Sequence, residues 1–296
     1  MIIHIPVLKK EVLQYLDPGQ NENFVDCTIG EGGHTKLILE KNAPEGKVLG
    51  IDLDPAQVES DKWLMADFRE RLILENNSYA NLQEIIERTN FGPVNGILLD
   101  LGMSSVHLDK STKGFSFQLD QSLDMRYDDR LNDLTAEKII NDWSEERIEK
   151  IIEEYGEEKF ARRIAAKIVE ERKKGRIKST FQLVKIIKEV IPGRLQNGKI
   201  HCATRTFQAL RIAVNAELEN VERVLPQVIS VLAAGGRIVI ISFHSLEDRI
   251  VKNFLNQESK KGLIKILTKK PITAADSEIR ENHRSRSAKL RAAVKI

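Results

Sequence analysis

Apolar residues in the N-terminal third of the chain fall into two alternating patterns. Short unbroken runs at Phe24-Val25, Val48-Leu49-Gly50-Ile51, Leu72-Ile73-Leu74 and Ile97-Leu98-Leu99 are too brief for helices, and they predict strands buried on both faces of a parallel sheet. Between them lie segments with helical spacing. Val7, Leu8, Val12, Leu13 and Leu16 form a stripe that stops before Asp17-Pro18-Gly19, and residues 36–40 take up the helical period after a glycine turn. Strand and helix taking turns predicts an α/β fold with a mostly parallel sheet. The pattern returns late in the chain. Arg237-Ile-Val-Ile-Ile-Ser242 predicts a fifth strand, preceded by a turn at Ala233-Ala-Gly-Gly236, and 263–268 and 288–294 predict closing strands.

From Leu108 to about Cys202 the alternation stops, and four helices are predicted, over 135–143, 145–155, 158–174 and 180–191. Gly156, Gly175 and Pro192 supply the stops. This stretch is an expected helical insertion. A long helix after it carries Phe207, Leu210, Val214 and Leu218 on one stripe, with Gln208 and Asn215 on another face.

Chemistry concentrates at the strand ends. Asn23-Phe-Val-Asp26 leads into Gly30-Glu-Gly-Gly33, a turn that requires positive φ and lets a ligand approach backbone without Cβ. The next strand ends in Asp52, about 20 residues on, where an acid holds ribose hydroxyls. A fourth ends in Asp100, so three carboxylates converge on one rim. A dinucleotide and S-adenosyl-L-methionine both suit such a βαβ unit. The third glycine of the dinucleotide fingerprint is missing, and acidic strand ends favour a cation. Tyr79, after the third strand, either stacks on an adenine or lies half-buried under its loop. Ser245-Leu-Glu-Asp248 has capping-box spacing and predicts a helix start, and the preceding His244 is a base, a substrate contact or a satisfied loop histidine.

The composition, 41% hydrophobic and 30% charged over 296 residues, is that of a soluble globular protein. Net charge is only +2, so any nucleic-acid footprint is local. Basic residues cluster in the insertion at Arg162, Arg163, Lys167 and Arg172-Lys173-Lys174, and again at Arg284 and Arg286. They read either as phosphate contacts or as solvated helix ends. Cys27 and Cys202 are too few for a disulfide framework or a metal cluster and point to a reducing cytoplasm. The stretch Met1-Ile-Ile-His-Ile-Pro-Val-Leu8 is too short for a signal peptide, and no segment has the apolar length to span a bilayer. A cytoplasmic protein without a membrane partner is expected; no oligomeric interface is legible.

Several long motifs, in order, carry a resemblance: Gly30-Glu-Gly-Gly-His34, Asp100-Leu-Gly-Met-Ser-Ser105, Gly114-Phe-Ser-Phe117, Leu123-Asp-Met-Arg126, Thr204-Arg-Thr-Phe-Gln208 and Ser242-Phe-His-Ser-Leu-Glu-Asp-Arg249. With His4-Ile-Pro-Val7 and Arg284-Ser-Arg-Ser-Ala-Lys-Leu-Arg291 they cover nearly the whole chain and resemble the bacterial ribosomal RNA small-subunit methyltransferase H family. The resemblance implies a Rossmann-like class I methyltransferase, residues 1–107 and 203–296, with the helical insertion 108–202 as RNA-recognition domain. It implies methyl transfer from S-adenosyl-L-methionine to the N4 amine of a cytosine in 16S ribosomal RNA, in the decoding region of the small ribosomal subunit. Gly32, Gly33, His34, Asp52, Tyr79, Asp100 and His107 match its cofactor positions, although the family often has glutamine where this chain has His107. Arg126, Arg162, Arg163, Lys173, Lys174, Arg205, His244, Arg284 and Arg286 are RNA-binding candidates.

Methyl transfer to nitrogen needs alignment and no metal. The cytosine amine is a poor nucleophile, so an acceptor for one of its protons is sought. The loop expected in amino-methyltransferases, a small polar residue before Pro-Pro-aromatic, is absent. Asp100, Ser104 and Ser105 are the catalytic candidates in its place. Transfer to ring C5 would need a cysteine nucleophile, and neither cysteine stands in a nucleophile loop.

Overall fold

A computed structural model describes residues 5–64, 66–109, 111–196, 198 and 200–296, with the side chains of 62–64, 105 and 109 outside the description. Met1 to His4, part of the N-terminal stretch and motif read above, lie outside it as well. In chain order the helices are α1 (Lys9–Leu16), α2 (Gly33–Lys41), α3 (Pro55–Leu64), α4 (Leu82–Thr89), α5 (Ser105–Asp109), α6 (Ala136–Asp142), α7 (Glu145–Gly156), α8 (Ala161–Arg172), α9 (Thr180–Val190), α10 (Gly193–Gln196), α11 (Thr204–Asn215), α12 (Glu217–Val231), α13 (Ser245–Lys260) and α14 (Asp276–Glu281). The strands are β1 (Phe24–Asp26), β2 (Val48–Asp52), β3 (Leu72–Asn76), β4 (Val94–Asp100), β5 (Leu232–Ser242), β6 (Ile264–Ile266) and β7 (Lys289–Lys295). No described helix is long and apolar enough to cross a membrane.

The chain forms two compact units, residues 1–102 with 218–296 and residues 103–217. In the first, seven strands pair in the order β3-β2-β1-β4-β5-β7-β6. The first five are parallel, and β7 runs antiparallel to both β5 and β6. Side chains alternate between the sheet's two faces. Val25, Leu49, Ile97, Leu99, Ile238 and Ile240 join one buried cluster, while Phe24, Val48, Leu98, Val239 and Ile241 join another. Strands apolar on both faces read as unbroken runs, which is why they were visible in the sequence. Residues 233–236, expected as a turn before β5, bulge within it: Val94 pairs with Leu232 and Gly96 with Arg237. This order and its antiparallel β7 are those of the Rossmann-like class I methyltransferase fold.

The second unit has its own core, built from Ile139, Ile140, Ile148, Ile152, Ile164, Ile168, Leu183 and Ile187 with Phe207 and Leu210. Its helices start at caps: Thr135 accepts from the Lys138 N–H, Ser144 from Arg147, and Ser179 makes a full capping box with Gln182. Helix α11, which the resemblance assigned to the methyltransferase domain, packs in this unit, because Phe207, Leu210 and Val214 are buried in its core. The boundaries accordingly fall at 102/103 and 217/218 in place of 107/108 and 202/203.

Candidate active site

The parallel order reverses at β1, which has β2 on one side and β4 on the other, so helices leave in opposite directions and a crevice opens beyond the strands' carboxyl ends. The glycine turn lies there. Gly30 and Gly32 have φ of 54° and 71°, and Gly32 is the N-cap of α2. A Cβ on Gly33 would sit 3.2 Å from the Pro6 ring. The turn is fastened by carboxylates. Asp52 Oδ2 accepts from the Gly30 N–H at 3.0 Å and its Oδ1 from the Asp54 N–H at 2.8 Å. Asp26 accepts from the Thr35 hydroxyl at 2.7 Å and the Thr28 N–H at 3.2 Å, and the Thr28 hydroxyl oxygen accepts from the Asp100 N–H at 2.7 Å. The Asn77 N–H donates to Asp52 O at 3.1 Å, tying the β3 exit and half-buried Tyr79 to the same strand end.

Gly32, Gly33, His34, Asp52 and Asp100 are thus gathered at one sheet edge. His34 is buried in the first turn of α2, with Nε2 3.8 Å from Asp100 Oδ2. Asp100 Oδ1 is buried without a hydrogen-bond partner among the described residues. Burial, with Asp26 and Glu247 adding to it, pushes the Asp100 carboxyl up to about 8. Burial also raises Asp26 to about 6, against the pull of its Thr35 and Thr28 bonds.

Sequence reasoning missed Asp61. Its side chain is fully buried, neither carboxylate oxygen has a hydrogen-bond partner among the described residues, and burial with the charges of Asp52, Asp26 and Glu31 raises it to about 8. The available signal was the i, i+4 pair Gln57 and Asp61, two polar residues that share the inward face of α3 with Val58.

Ser104 and His107 form a set of their own in the second unit. Ser104 Oγ lies 3.0 Å from His107 Nδ1 and accepts the His107 N–H at 3.4 Å, capping α5. The buried His107 ring is tilted against Phe115 and Tyr127, with centroids at 5.1 and 4.9 Å. Ser105 opens α5, but its side chain lies outside the described part.

The basic candidates divide. Arg126 is engaged by Asp124 through two bonds of 2.7 and 2.8 Å and by Asn132 O, bracing its own loop. Lys174 pairs with Glu171 at 2.7 Å, Lys167 with Glu171 at 2.8 Å, and Arg172 donates to the carbonyls of Ile140 and Trp143. Arg205 lies 3.9 Å from Glu158. Arg162, Arg163 and Lys173 are exposed, with Arg163 lying over the Phe160 ring; Arg286 is exposed and Arg284 half-buried. The expected Ser245 cap is corrected by one residue. His244 is the N-cap of α13, its Nδ1 accepting from the Glu247 N–H, while Glu247 Oε2 accepts from Phe243 and His244. An imidazole nitrogen serves as well as a hydroxyl there, and Glu247 sits three residues on.

A glycine turn flanked by acidic strand ends, on this strand order, defines a class I methyltransferase, an enzyme that takes its methyl group from S-adenosyl-L-methionine. The chain belongs to the MraW methylase family, whose model matches residues 1–296. The ribosomal RNA small subunit methyltransferase H of Persephonella marina is 47% identical over 296 residues, all of both chains. Its namesake from Sulfurihydrogenibium sp. is 46% identical over the same span, also all of both chains. That of Thermotoga neapolitana is 47% identical over 293 residues, 98% of this chain and 95% of the other.

Proposed function

We propose that this protein transfers a methyl group from S-adenosyl-L-methionine to the exocyclic N4 amine of a cytosine in the decoding region of 16S ribosomal RNA, acting in the cytoplasm on the small ribosomal subunit. One observation carries the cofactor reading: the rim is short of positive charge. Asp26, Asp61 and Asp100 are held above the ordinary carboxylate range, and Asp100 Oδ1 and both Asp61 oxygens lack partners among the described residues. A cation relieves both deficits, whereas an anionic pyrophosphate would add to the repulsion. The residues therefore fit S-adenosyl-L-methionine, which when bound supplies a methyl on positively charged sulfur. Gly32 and Gly33 would take the methionyl part, Asp52 the ribose hydroxyls and Tyr79 the adenine. His107 remains a proposed contact by family resemblance.

For the methyl acceptor, Asp100 Oδ1 would accept a hydrogen bond from one amine N–H, restoring the lone pair as the new bond forms, and would take up the proton that the methylated nitrogen loses. Ser104 and His107 fix the loop that follows. Neither cysteine provides the thiolate needed to attack C6 on a C5-methylating path: Cys27 and Cys202 are both buried, and burial raises both thiols. A paired base cannot reach a buried methyl, so the cytosine enters unpaired or flipped out. Residues 103–217 and the Arg284–Arg286 patch supply phosphate contacts.

Small ribosomal subunits lacking the modification, incubated with isotopically labelled S-adenosyl-L-methionine and mapped by mass spectrometry, test this. The expected product is one labelled N4-methylcytosine in the decoding region; label on C5, or none, overturns the reading.

A further inference from the structure

The second unit holds an open cavity of about 630 Å³, lined in part by Phe117 of the Gly114–Phe117 motif but by none of the site candidates above. Helix α9 makes one wall. It buries Leu183, Ile187 and Val190 on one side and presents Phe181, Lys185 and Lys188 on the other, at i, i+4 and i+7. An outward helix face is ordinarily polar, yet Phe181 is 49% exposed. Opposite stand Phe117 and His201, stacked with centroids 4.7 Å apart at 20°, while Phe207 meets Phe117 edge-on and holds it.

The polar groups are equally specific. His201 Nδ1 accepts the Ala203 N–H at 3.2 Å, so the neutral ring carries its hydrogen on Nε2. Burial and the Lys188 charge lower its pKa and so favour the neutral ring. The Gln196 amide spends its donors on Lys188 O and Ile191 O, at 2.7 and 2.8 Å, leaving Oε1 to accept. Glu189, the one carboxylate in the lining, lies 3.5 Å from Lys167 Nζ. Lys185 and Lys188 form no ion pair among the described residues, unlike the neighbouring Lys167 and Lys174.

We propose that this groove binds an unpaired RNA nucleotide distinct from the methylated cytosine, its base stacked on Phe181 and its phosphate held by Lys185 and Lys188. The proposal rests on the RNA substrate argued above and names where the second unit grips it. An unpaired nucleotide uses all the features together: a π face for the exposed ring, donor and acceptor edges for Gln196 Oε1 and His201 Nε2, and an anion for the two lysines. An apolar segment of a protein would satisfy Phe181 alone and strand the two lysines and the imidazole N–H against hydrocarbon.

The test measures affinity for labelled 16S ribosomal RNA and for small subunits by fluorescence anisotropy, beside S-adenosyl-L-methionine affinity by calorimetry and methyl transfer. Phe181→Ala is expected to weaken RNA binding about 5- to 150-fold. Phe181→Trp restores it, and S-adenosyl-L-methionine affinity is unchanged in both. Lys185→Ala with Lys188→Ala reduces the slope of log affinity against log salt by roughly 1.4. KM for RNA rises in each weakened variant, while the rate at saturating RNA holds. Unchanged RNA affinity in Phe181→Ala and in the double lysine variant, with wild-type methyl transfer intact, overturns the proposal. Weaker binding to subunits with unchanged binding to naked RNA also overturns it, assigning the groove to a ribosomal protein. Absence of methyl transfer by the wild-type protein is a different failure, that of the functional reading itself.

Discussion

In the proposed placement of the cofactor, Asp100 is expected to couple its binding to pH, with a size that follows from the surroundings of the carboxyl. Burial first, then Asp26 and Glu247, raises its carboxyl to about 8, so in the ligand-free protein it is mostly protonated at neutral pH. A cation binds the ionised form, so affinity must rise with pH until the raised pKa is passed. An opposite unit charge at ~4 Å, in a medium of effective dielectric ~20, favours ionisation by about 4 kcal/mol, which lowers a pKa by roughly three units. Binding should then release close to one proton from Asp100 near pH 7. The ionised fraction of a group titrating at about 8 grows about 50-fold between pH 6 and pH 8, equivalent to about 2.3 kcal/mol of affinity.

The assay is calorimetric titration with S-adenosyl-L-methionine from pH 6 to pH 9, in buffers of different ionisation heat to count protons. S-adenosylhomocysteine, with the same amino acid part and an uncharged sulfur, is the control. Wild-type affinity is expected to rise steeply to pH 8 and then level relative to that control. Asp100→Asn is expected to lose Asp100's share of the slope, keeping only what Asp61, also raised to about 8, contributes. An undiminished slope in the variant, or equal slopes for both ligands, would refute the reasoning.

Three further outcomes are expected. Asp61→Asn should raise the thermal midpoint of the ligand-free protein more at pH 9 than at pH 5, because a carboxyl at 3.8 in the unfolded chain and about 8 in the fold loses stability progressively as pH rises between those values; scanning calorimetry at both pH values checks it. Gly114→Ala should lose about 2–5 kcal/mol in urea unfolding, since that residue has φ of 80° and its Cβ would fall 2.0 Å from the Ser122 carbonyl oxygen. Replacing both Cys27 and Cys202 with alanine should leave single-turnover methyl transfer intact, and a lost rate with cofactor binding preserved would revive a covalent route.

The strand runs, the glycine turn and the acidic strand ends were legible because each is local. An unbroken apolar run reports a strand covered on both faces, and a positive-φ turn demands glycine wherever it occurs. The insertion's helices were legible for the same reason, through their periodicity and stops. Its charges were not. Lys167, Lys174 and Arg172 looked like a phosphate patch, and the fold turns them onto Glu171 and the carbonyls of Ile140 and Trp143. Lys185 and Lys188, unremarkable in sequence, line a groove beside an aromatic wall and form no ion pair among the described residues. Asp61 reads as a polar position on a helix until the fold buries it with no hydrogen-bond partner among the described residues. Periodicity is set by the backbone's own geometry and survives in any window of sequence. Which charge meets which, and which ring stays bare, depends on residues far apart in the chain, and only packing brings those together.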